Sequence, residues 1–197
     1  MLARPRLTGR TLSAVAAATG AAVAGVAVER RHLRTVARDP DYARLSRPLG
    51  GRPMRIVSAD GTGLHAEEFG APDGHTVVLA HGWTERLSFW GPVIARLTAR
   101  GQRVVAYDLR GHGRSGQAVD NDYSLDRFGE DVAVVLEAAL DSGSPHPRAT
   151  VVGHSLGAMS IVAWAGAHDV AARADAVALV NTGLGELVAG SLLFGEL

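Results

Sequence analysis

The 197-residue sequence predicts an α/β protein with a mostly parallel sheet and helices on both faces. Two observations lead to this fold class. Short apolar segments rich in valine and alanine alternate with longer segments of helical period, which is typical of βαβ units. Glycine-rich loops also follow the ends of three apolar segments, where a strand would turn toward the next helix. The length suits one domain, or one domain with an appendage.

Six segments have the composition and length of strands. The first two are predicted to form a hairpin across the tight turn Asp60–Gly63, and the others to be buried or apolar strands. In chain order, these segments are Arg55–Ser58, Leu64–Phe69, Thr76–Ala80, Arg103–Tyr107, Ala149–Val152 and Ala176–Val180.

Three helices are predicted between these strands. The first spans Trp90–Arg100, with a proline tolerated in its first turn and Gly101 ending it. Ser124 is expected to cap the second helix, which runs to about Leu140 and carries an apolar stripe. The third is the alanine-rich segment Leu156–Ala167.

Charge and cysteine content exclude several kinds of site. Lysine plus arginine total 20, as do aspartate plus glutamate, so the net charge is zero and no nucleic-acid partner is predicted. The sequence contains no cysteine, which excludes disulfides, a thiol nucleophile and cysteine-ligated metals. No cofactor or metal is predicted.

The N-terminal segment Thr11–Val28 is uncharged and mostly alanine and valine. As a helix it would reach about 27 Å, close to the hydrocarbon thickness of a bilayer. We expect a single-pass membrane anchor, and hence membrane association and a membrane localisation. Two alternatives remain open: a signal peptide cleaved near Ala22–Ala24, giving a secreted protein, or an alanine-rich helix of a cytoplasmic protein. The predicted organisation is a hydrophobic segment 1–29, a basic linker 30–53 and a catalytic domain 54–197.

The pentapeptide from Gly153 to Gly157 has the pattern G-x-S-x-G between a β-branched strand and a helix. This pattern is typical of a sharp strand-to-helix turn that exposes a nucleophilic serine, here Ser155. Side chains at Gly153 and Gly157 would collide with neighbouring backbone. The first N–H groups of the helix would lie beside the serine and could stabilise a developing oxyanion. The pattern therefore predicts acyl-transfer chemistry.

Three other loops follow strands in the same order along the chain. They are His81-Gly82-Trp83, the segment Asp108–Ser115 with the pattern D-x-R-G-x-G-x-S, and Asn181-Thr182-Gly183. With these loops, residues 54–197 resemble the α/β-hydrolase family, in its branch of lipases, esterases and epoxide-hydrolase-like proteins. All these loops are expected at the carboxyl ends of parallel strands, where open α/β sheets bind ligands.

The resemblance implies a role for each matching residue. Ser155 corresponds to the nucleophile, and the backbone N–H groups of Trp83 and Leu156 correspond to the oxyanion hole. Four residues support these loops: His81, Gly82, Gly153 and Gly157. The implied reaction is hydrolysis of an ester-like bond in a small hydrophobic acyl substrate through an acyl-serine intermediate. Acyltransferase, perhydrolase and lyase activities remain open on the same fold, whereas a serine nucleophile argues against epoxide hydrolase and dehalogenase chemistry.

The remaining members of a catalytic triad are not found in the sequence. The family order is serine, acid and then histidine, but only His168 follows Ser155, and we expect it at the far end of the elbow helix. His81, His112 and His154 are predicted to hold loops rather than to act as the base. Asn181 occupies a position where some family members carry the acid. We therefore expect an incomplete domain that stops where a lid begins, with a catalytically incomplete, membrane-tethered module as the alternative.

Overall fold

The computed structural model describes residues 25–42, 48–141 and 144–183. The chain divides into two compact units, Met1–Arg47 and Pro48–Leu197. In the first unit, residues 25–37 are helical and exposed to solvent. This helical stretch carries Arg30, Arg31 and Arg34, so it is polar rather than hydrophobic.

The predicted single-pass anchor and membrane localisation are wrong. Across the three described ranges, no helix is both long enough and apolar enough to cross a membrane. An N-terminal hydrophobic helix is likewise not supported. The described part of Thr11–Val28, residues 25–28, forms the start of the helix that carries the arginines. Residues 11–24, which include the alternative cleavage site Ala22–Ala24, lie outside the described residues.

The second unit is built on a six-stranded sheet with the strand order β1-β2-β4-β3-β5-β6. Its strands are β1 (Arg52–Val57), β2 (Gly63–Gly70), β3 (Thr76–Ala80), β4 (Arg103–Tyr107), β5 (Ala149–His154) and β6 (Ala174–Val180). Strand β2 pairs antiparallel with β1 and β4, whereas the pairings among β3, β4, β5 and β6 are parallel. The mostly parallel α/β sheet predicted from the sequence is confirmed.

The helices of this unit connect the parallel strands. A short 3₁₀ turn, Leu87–Trp90, leads into α1 (Gly91–Thr98), and the others are α2 (Leu125–Asp141), α3 (Leu156–Ala167) and α4 (Val170–Arg173). The hydroxyl oxygen of Ser124 accepts a hydrogen bond from the Arg127 N–H, so Ser124 caps α2 as expected. The four-residue α4 was not predicted.

Helices cover both faces of the sheet because alternate residues of each strand point to opposite sides. On one face, Val77 and Leu79 of β3 pack with the side chains of the 3₁₀ turn and α1. On the other face, Val78 and Ala80 belong to the larger core formed with α2 and α3. Strand β3 is buried on both faces, which explains its continuous apolar sequence.

Strand β6 lies at one edge of the sheet. It begins at Ala174, two residues before the predicted start. A bulge adds one residue to β6 between the partners of Ala149 and Thr150, and this lets the pairing with β5 begin earlier. Among the described residues it pairs only with β5. Val177 and Val180 are both about two-fifths exposed, so this edge strand carries exposed apolar side chains.

Candidate active site

Four loops meet at one edge of the sheet because the carboxyl ends of β3, β4, β5 and β6 lie side by side. The parallel register that aligns β3 with both β4 and β5 brings the His81 loop beside the elbow. The loops that carry the sequence motifs are therefore neighbours in space, although up to 100 residues separate them along the chain.

Ser155 has the backbone conformation of a strained turn. Its φ of 49° and ψ of −114° lie in a region that residues with a side chain rarely adopt. Its N–H donates to the carbonyl of Val180 at 3.0 Å, which ties the turn to the end of β6. Its carbonyl accepts from the N–H groups of Ala158 and Met159, each at 3.0 Å, and so begins α3. The surrounding structure thus holds the strained residue at both of its backbone groups.

The two elbow glycines are required by close backbone contacts. A Cβ on Gly153 would lie 2.6 Å from the backbone of Ala158. A Cβ on Gly157 would meet the carbonyl groups of Ala80 and His81 at the end of β3. Backbone collisions at both positions were predicted from the sequence. The close approach at Gly157 also brings the elbow against the strand that leads to Gly82.

Two backbone N–H groups beside Ser155 have no protein acceptor among the described residues. The N–H of Leu156 is the first of α3, where no intrahelical carbonyl is available. The N–H of Trp83 likewise makes no hydrogen bond within this part of the chain. Gly82, which precedes Trp83, lies against the nucleophile, since a Cβ built on it would be 3.2 Å from the Ser155 Cβ. This arrangement can offer two donors to an oxygen bound at Ser155.

A four-residue turn presents Trp83. The Glu85 N–H donates to the carbonyl of Gly82 at 3.2 Å, and the Glu85 carboxylate accepts the Gly82 N–H at 2.7 Å. Within the turn, Thr84 has a φ of 62°, which is strained for a β-branched residue. The Trp83 side chain is 65% exposed, so the turn places a large apolar surface beside the elbow.

His81 bridges two of the loops. Its Nε2 accepts the N–H of Leu109 at 3.0 Å, and its Nδ1 donates to the carbonyl of Gly82 at 2.8 Å. These two bonds require the neutral ring, and burial lowers the pKa of His81 below its ordinary value. Both ring nitrogens are therefore used in holding the loops, and neither is available to Ser155.

The other candidate histidines also have partners away from the Ser155 hydroxyl. Nδ1 of His112 contacts the carbonyl of Arg110, and Nδ1 of His154 lies 3.2 Å from the Glu85 carboxylate. His168 follows α3 at its far end and contacts the carbonyl of Trp164. Within the described residues, no hydrogen bond joins any side chain to the Ser155 hydroxyl. Asn181 lies exposed just after β6, with a φ of 50°.

The loop after β4 is held by Asp108. Its carboxylate accepts the N–H groups of Leu87 and Arg114, at 2.7 and 2.8 Å, and its side chain is almost fully buried. Gly113 has a φ of 51°, and a Cβ there would collide with the same carboxylate. Asp108 therefore fixes the shape of this loop.

A buried ion pair fastens the same loop to α2. The guanidinium of Arg110 makes a bidentate contact with Asp131, with nitrogen-to-oxygen distances of 2.7 and 2.8 Å, and both side chains are fully buried. These hydrogen bonds raise the pKa of Arg110 above its already high value. Arg110 also contacts Asp60. The Ser58 hydroxyl donates a hydrogen bond to the Asp131 carboxylate, with an oxygen-to-oxygen distance of 2.6 Å.

Sequence reasoning missed Asp131 and Glu85. Asp131 carried a signal, since it is a charged residue three positions after Phe128 on the apolar side of a predicted helix. Such a residue is expected to have a buried partner. Glu85 lies three residues after Gly82, a spacing that allows a turn closed by its side chain. Its contact with His154 had no local signal.

The comparisons with known proteins agree with the fold. The family model described as alpha/beta hydrolase fold matches residues 75–193. That match covers more than half of the chain, which therefore belongs to the α/β-hydrolase fold family. The resemblance stated from the sequence motifs is confirmed.

Individual relatives are enzymes. The chain is 34% identical to a bifunctional esterase/perhydrolase of Acinetobacter calcoaceticus, over 52% of this chain and 35% of that protein. It is 41% identical to epoxide hydrolase B of Mycobacterium tuberculosis, over 56% of this chain and 30% of that protein. A solved structure of a hydrolase from Pseudomonas aeruginosa PA01 matches 71% of this chain and 50% of that chain, with 31% identity and a TM-score of 0.60. The chain thus spans no more than half the length of these relatives.

Proposed function

We propose that this chain carries the nucleophile and the oxyanion hole of a serine hydrolase that cleaves ester-like acyl bonds through an acyl-Ser155 intermediate. The single observation that carries the proposal is the geometry of the elbow. Ser155 is held in a strained turn, and the N–H groups of Leu156 and Trp83 have no protein acceptor among the described residues. A strained serine beside two available donors is the arrangement that acyl transfer needs.

In the proposed reaction, the Ser155 oxygen attacks the acyl carbonyl carbon and loses its proton to a general base, a role that none of the described histidines is placed to fill. The carbonyl oxygen becomes an oxyanion, to which the N–H groups of Trp83 and Leu156 donate. Removing one such donor typically slows catalysis about 10²- to 10³-fold. The positive end of the α3 dipole adds to this stabilisation. Collapse of the intermediate expels the alcohol, which takes up a proton, and water then hydrolyses the acyl-enzyme.

The exposed aromatic side chains beside the elbow support a small hydrophobic acyl group as the substrate. Trp83 is 65% exposed and Phe89 is 44% exposed, which is high for large apolar side chains. Phe89 lies beside the elbow, since its ring stacks on His154 with centroids 4.9 Å apart. An acyl chain bound to Ser155 could cover both rings and remove apolar surface from water.

The two named relatives differ in how well they agree with the proposed serine hydrolase. The esterase/perhydrolase of Acinetobacter calcoaceticus is named for cleavage of an ester, which agrees with the proposed reaction. The epoxide hydrolase of Mycobacterium tuberculosis is named for a different bond. We favour ester cleavage because a serine occupies the elbow.

A second candidate is a module with this fold that does not catalyse the reaction. The observation that favours it is the set of partners described above, in which His81, His112 and His154 are each engaged by another group. Such a module would retain the elbow without a base for Ser155.

Covalent labelling with a fluorophosphonate probe tests the first candidate against the second. We expect the folded full chain to be labelled at Ser155, with the modified residue identified by mass spectrometry of its peptides. The Ser155→Ala variant should not be labelled, and Ser88→Ala, which removes the hydroxyl of a serine in the 3₁₀ turn, should be labelled like the unmodified protein. A folded chain that stays unlabelled would contradict the hydrolase proposal and favour the module.

A further inference from the structure

The carboxylate of Glu85 joins the turn that carries Trp83 to the elbow that carries Ser155. Its Oε2 accepts the Gly82 N–H at 2.7 Å and lies 3.2 Å from Nδ1 of His154. The side chains of Glu85 and His154 are only 23% and 18% exposed. Because both groups are largely shielded from water, their contact is screened less than a surface pair would be. One carboxylate oxygen therefore contacts both loops of the proposed oxyanion hole.

The same residue closes the turn at both of its ends. Besides the carboxylate contact, the Glu85 N–H donates to the Gly82 carbonyl. Thr84 lies inside this closed turn with a φ of 62°, a conformation that persists only where the surroundings hold it. Trp83 lies between Gly82 and Thr84, so the direction of its N–H depends on the turn that Glu85 closes.

The Glu85 carboxylate forms a bridge between Gly82 and His154. Aromatic packing supports the His154 end of this bridge. The ring of Phe89 stacks on His154 with an interplanar angle of 26°, and its edge contacts Trp90 at a centroid distance of 5.1 Å. Trp90 is buried in the core beneath α1. The His154 ring is thereby supported from the core, and its Nδ1 remains within reach of Glu85.

The bridge lies directly against the nucleophile. A Cβ built on Gly82 would be 2.9 Å from His154 Nδ1, 3.1 Å from Glu85 Oε2 and 3.2 Å from Ser155 Cβ. Gly82 is therefore packed against all three groups, with no space for a side chain of its own. A change at Glu85 would alter the group that holds Gly82, and with it the turn that carries the Trp83 N–H.

We propose that Glu85 is a positioning residue, which holds the Trp83 N–H in register with Ser155 by bridging Gly82 and His154. This inference rests on the proposed function, because it assigns a role in the same oxyanion hole. Glu85 acts through the backbone of the turn and need not touch the substrate. A misplacement of about 1 Å in such a site can slow the reaction about 100-fold.

The first arm of the test examines the bridge without any reaction. In the ¹⁵N-labelled full chain, we expect the Gly82 amide proton to be shifted downfield by its short bond to a carboxylate. Glu85→Ala should move this signal and the His154 Nδ1 signal together. Glu137→Gln, which alters an exposed carboxylate on α2, should leave both in place. If Glu85→Ala leaves the Gly82 signal unchanged, the bridge is refuted, whether or not Ser155 reacts.

The second arm measures fluorophosphonate labelling and separates the rate of the covalent step from the affinity for the probe. We expect Glu85→Ala to slow the covalent step 10- to 100-fold, with less than a threefold change in affinity. Glu85→Gln retains an oxygen that can accept the Gly82 N–H, so it should recover much of the rate. An unchanged rate in Glu85→Ala, or equal losses in Glu85→Ala and Glu85→Gln, would overturn the proposal.

The two arms also distinguish this proposal from the proposed function. If the unmodified chain is not labelled, the hydrolase proposal fails, and the amide signals alone decide whether Glu85 forms the bridge. Unfolding midpoints of each variant show whether it is folded. If Glu85→Ala does not fold, the comparison of Glu85→Gln with Glu137→Gln gives the same decision from the Gly82 signal.

Discussion

Adding one methyl group at Gly157 should separate the elbow from the oxyanion loop. A Cβ at this position would lie 2.5 Å from the carbonyl oxygen of His81 and 2.6 Å from the carbonyl carbon of Ala80. The carbonyl oxygen of Ala80 is closer still, and ordinary contact begins near 3.4 Å, so the elbow must move by about 1 Å relative to the end of β3. Strand β3 is buried along its whole length, so its backbone cannot yield easily.

The magnitude follows from this overlap. Overpacking a well-packed site usually costs about 1–3 kcal/mol. We expect Gly157→Ala to fall near the upper end, since both colliding groups are main chain. For a unit of this size, a loss of about 2–3 kcal/mol corresponds to a decrease of roughly 4–12 °C in the melting temperature. Labelling of Ser155 should slow about 100-fold, because the nucleophile moves by nearly 1 Å.

Gly166 provides a matched control in the same helix. A Cβ there would have no neighbour within 4 Å, so Gly166→Ala should be tolerated sterically. It should stabilise the protein by about 0.5–1 kcal/mol through the higher helix propensity of alanine. Urea unfolding gives the stability of both variants, and fluorophosphonate labelling gives the reactivity of Ser155 in each. If Gly157→Ala unfolds at the same urea concentration as Gly166→Ala and is labelled at the unmodified rate, the close approach of elbow and strand is not as described.

Two further predictions concern the buried ion pairs. Asp131→Ala should lower the free energy of unfolding by about 3–5 kcal/mol, because it leaves the Arg110 charge buried without its bidentate partner. In urea unfolding, the double variant Arg110→Met with Asp131→Leu should recover part of this loss. A loss below about 1 kcal/mol for Asp131→Ala would contradict the prediction. Burial alone would raise the pKa of Glu68, but its hydrogen bond and ion pair with Arg103 hold the pKa below the ordinary 4.5. A lowered carboxyl pKa contributes stability that is present above pH 4.5 and is lost as the pH falls below it. Glu68→Gln should therefore be less stable than Glu137→Gln at pH 7, and the difference in stability should shrink as the pH falls below 4.5. A difference that does not change with pH would argue against this prediction.

Much of the fold could be predicted because its signals are local. Strands β3 and β4 have the predicted boundaries, since continuous apolar runs bounded by polar residues and glycine are typical of strands buried on both faces. Helix α3 also has its predicted boundaries. The start of β6 differs by two residues because a bulge in its pairing with β5, rather than its own composition, sets the register.

The candidate site could be predicted only in outline. The order of the loops located Ser155, Trp83 and Leu156 at one edge of the sheet, because parallel strands bring their carboxyl ends together. The contact of Glu85 with His154 joins residues 69 positions apart, and Arg110 meets Asp131 across the core. Neither pairing follows from a repeating pattern, because each depends on how a loop packs against another element.

The sequence by itself determined the class of fold and the position of the elbow. Both depend on short segments of sequence, in which the residue types restrict the backbone conformation or set the period of the hydrophobic pattern. The tertiary structure alone decided that Ser155 adopts a strained conformation tied to Val180, that His81 is neutral and engaged at both nitrogens, and that Glu85 spans the two loops. These features depend on contacts between distant segments, and such contacts exist only once the sheet has aligned the ends of its strands.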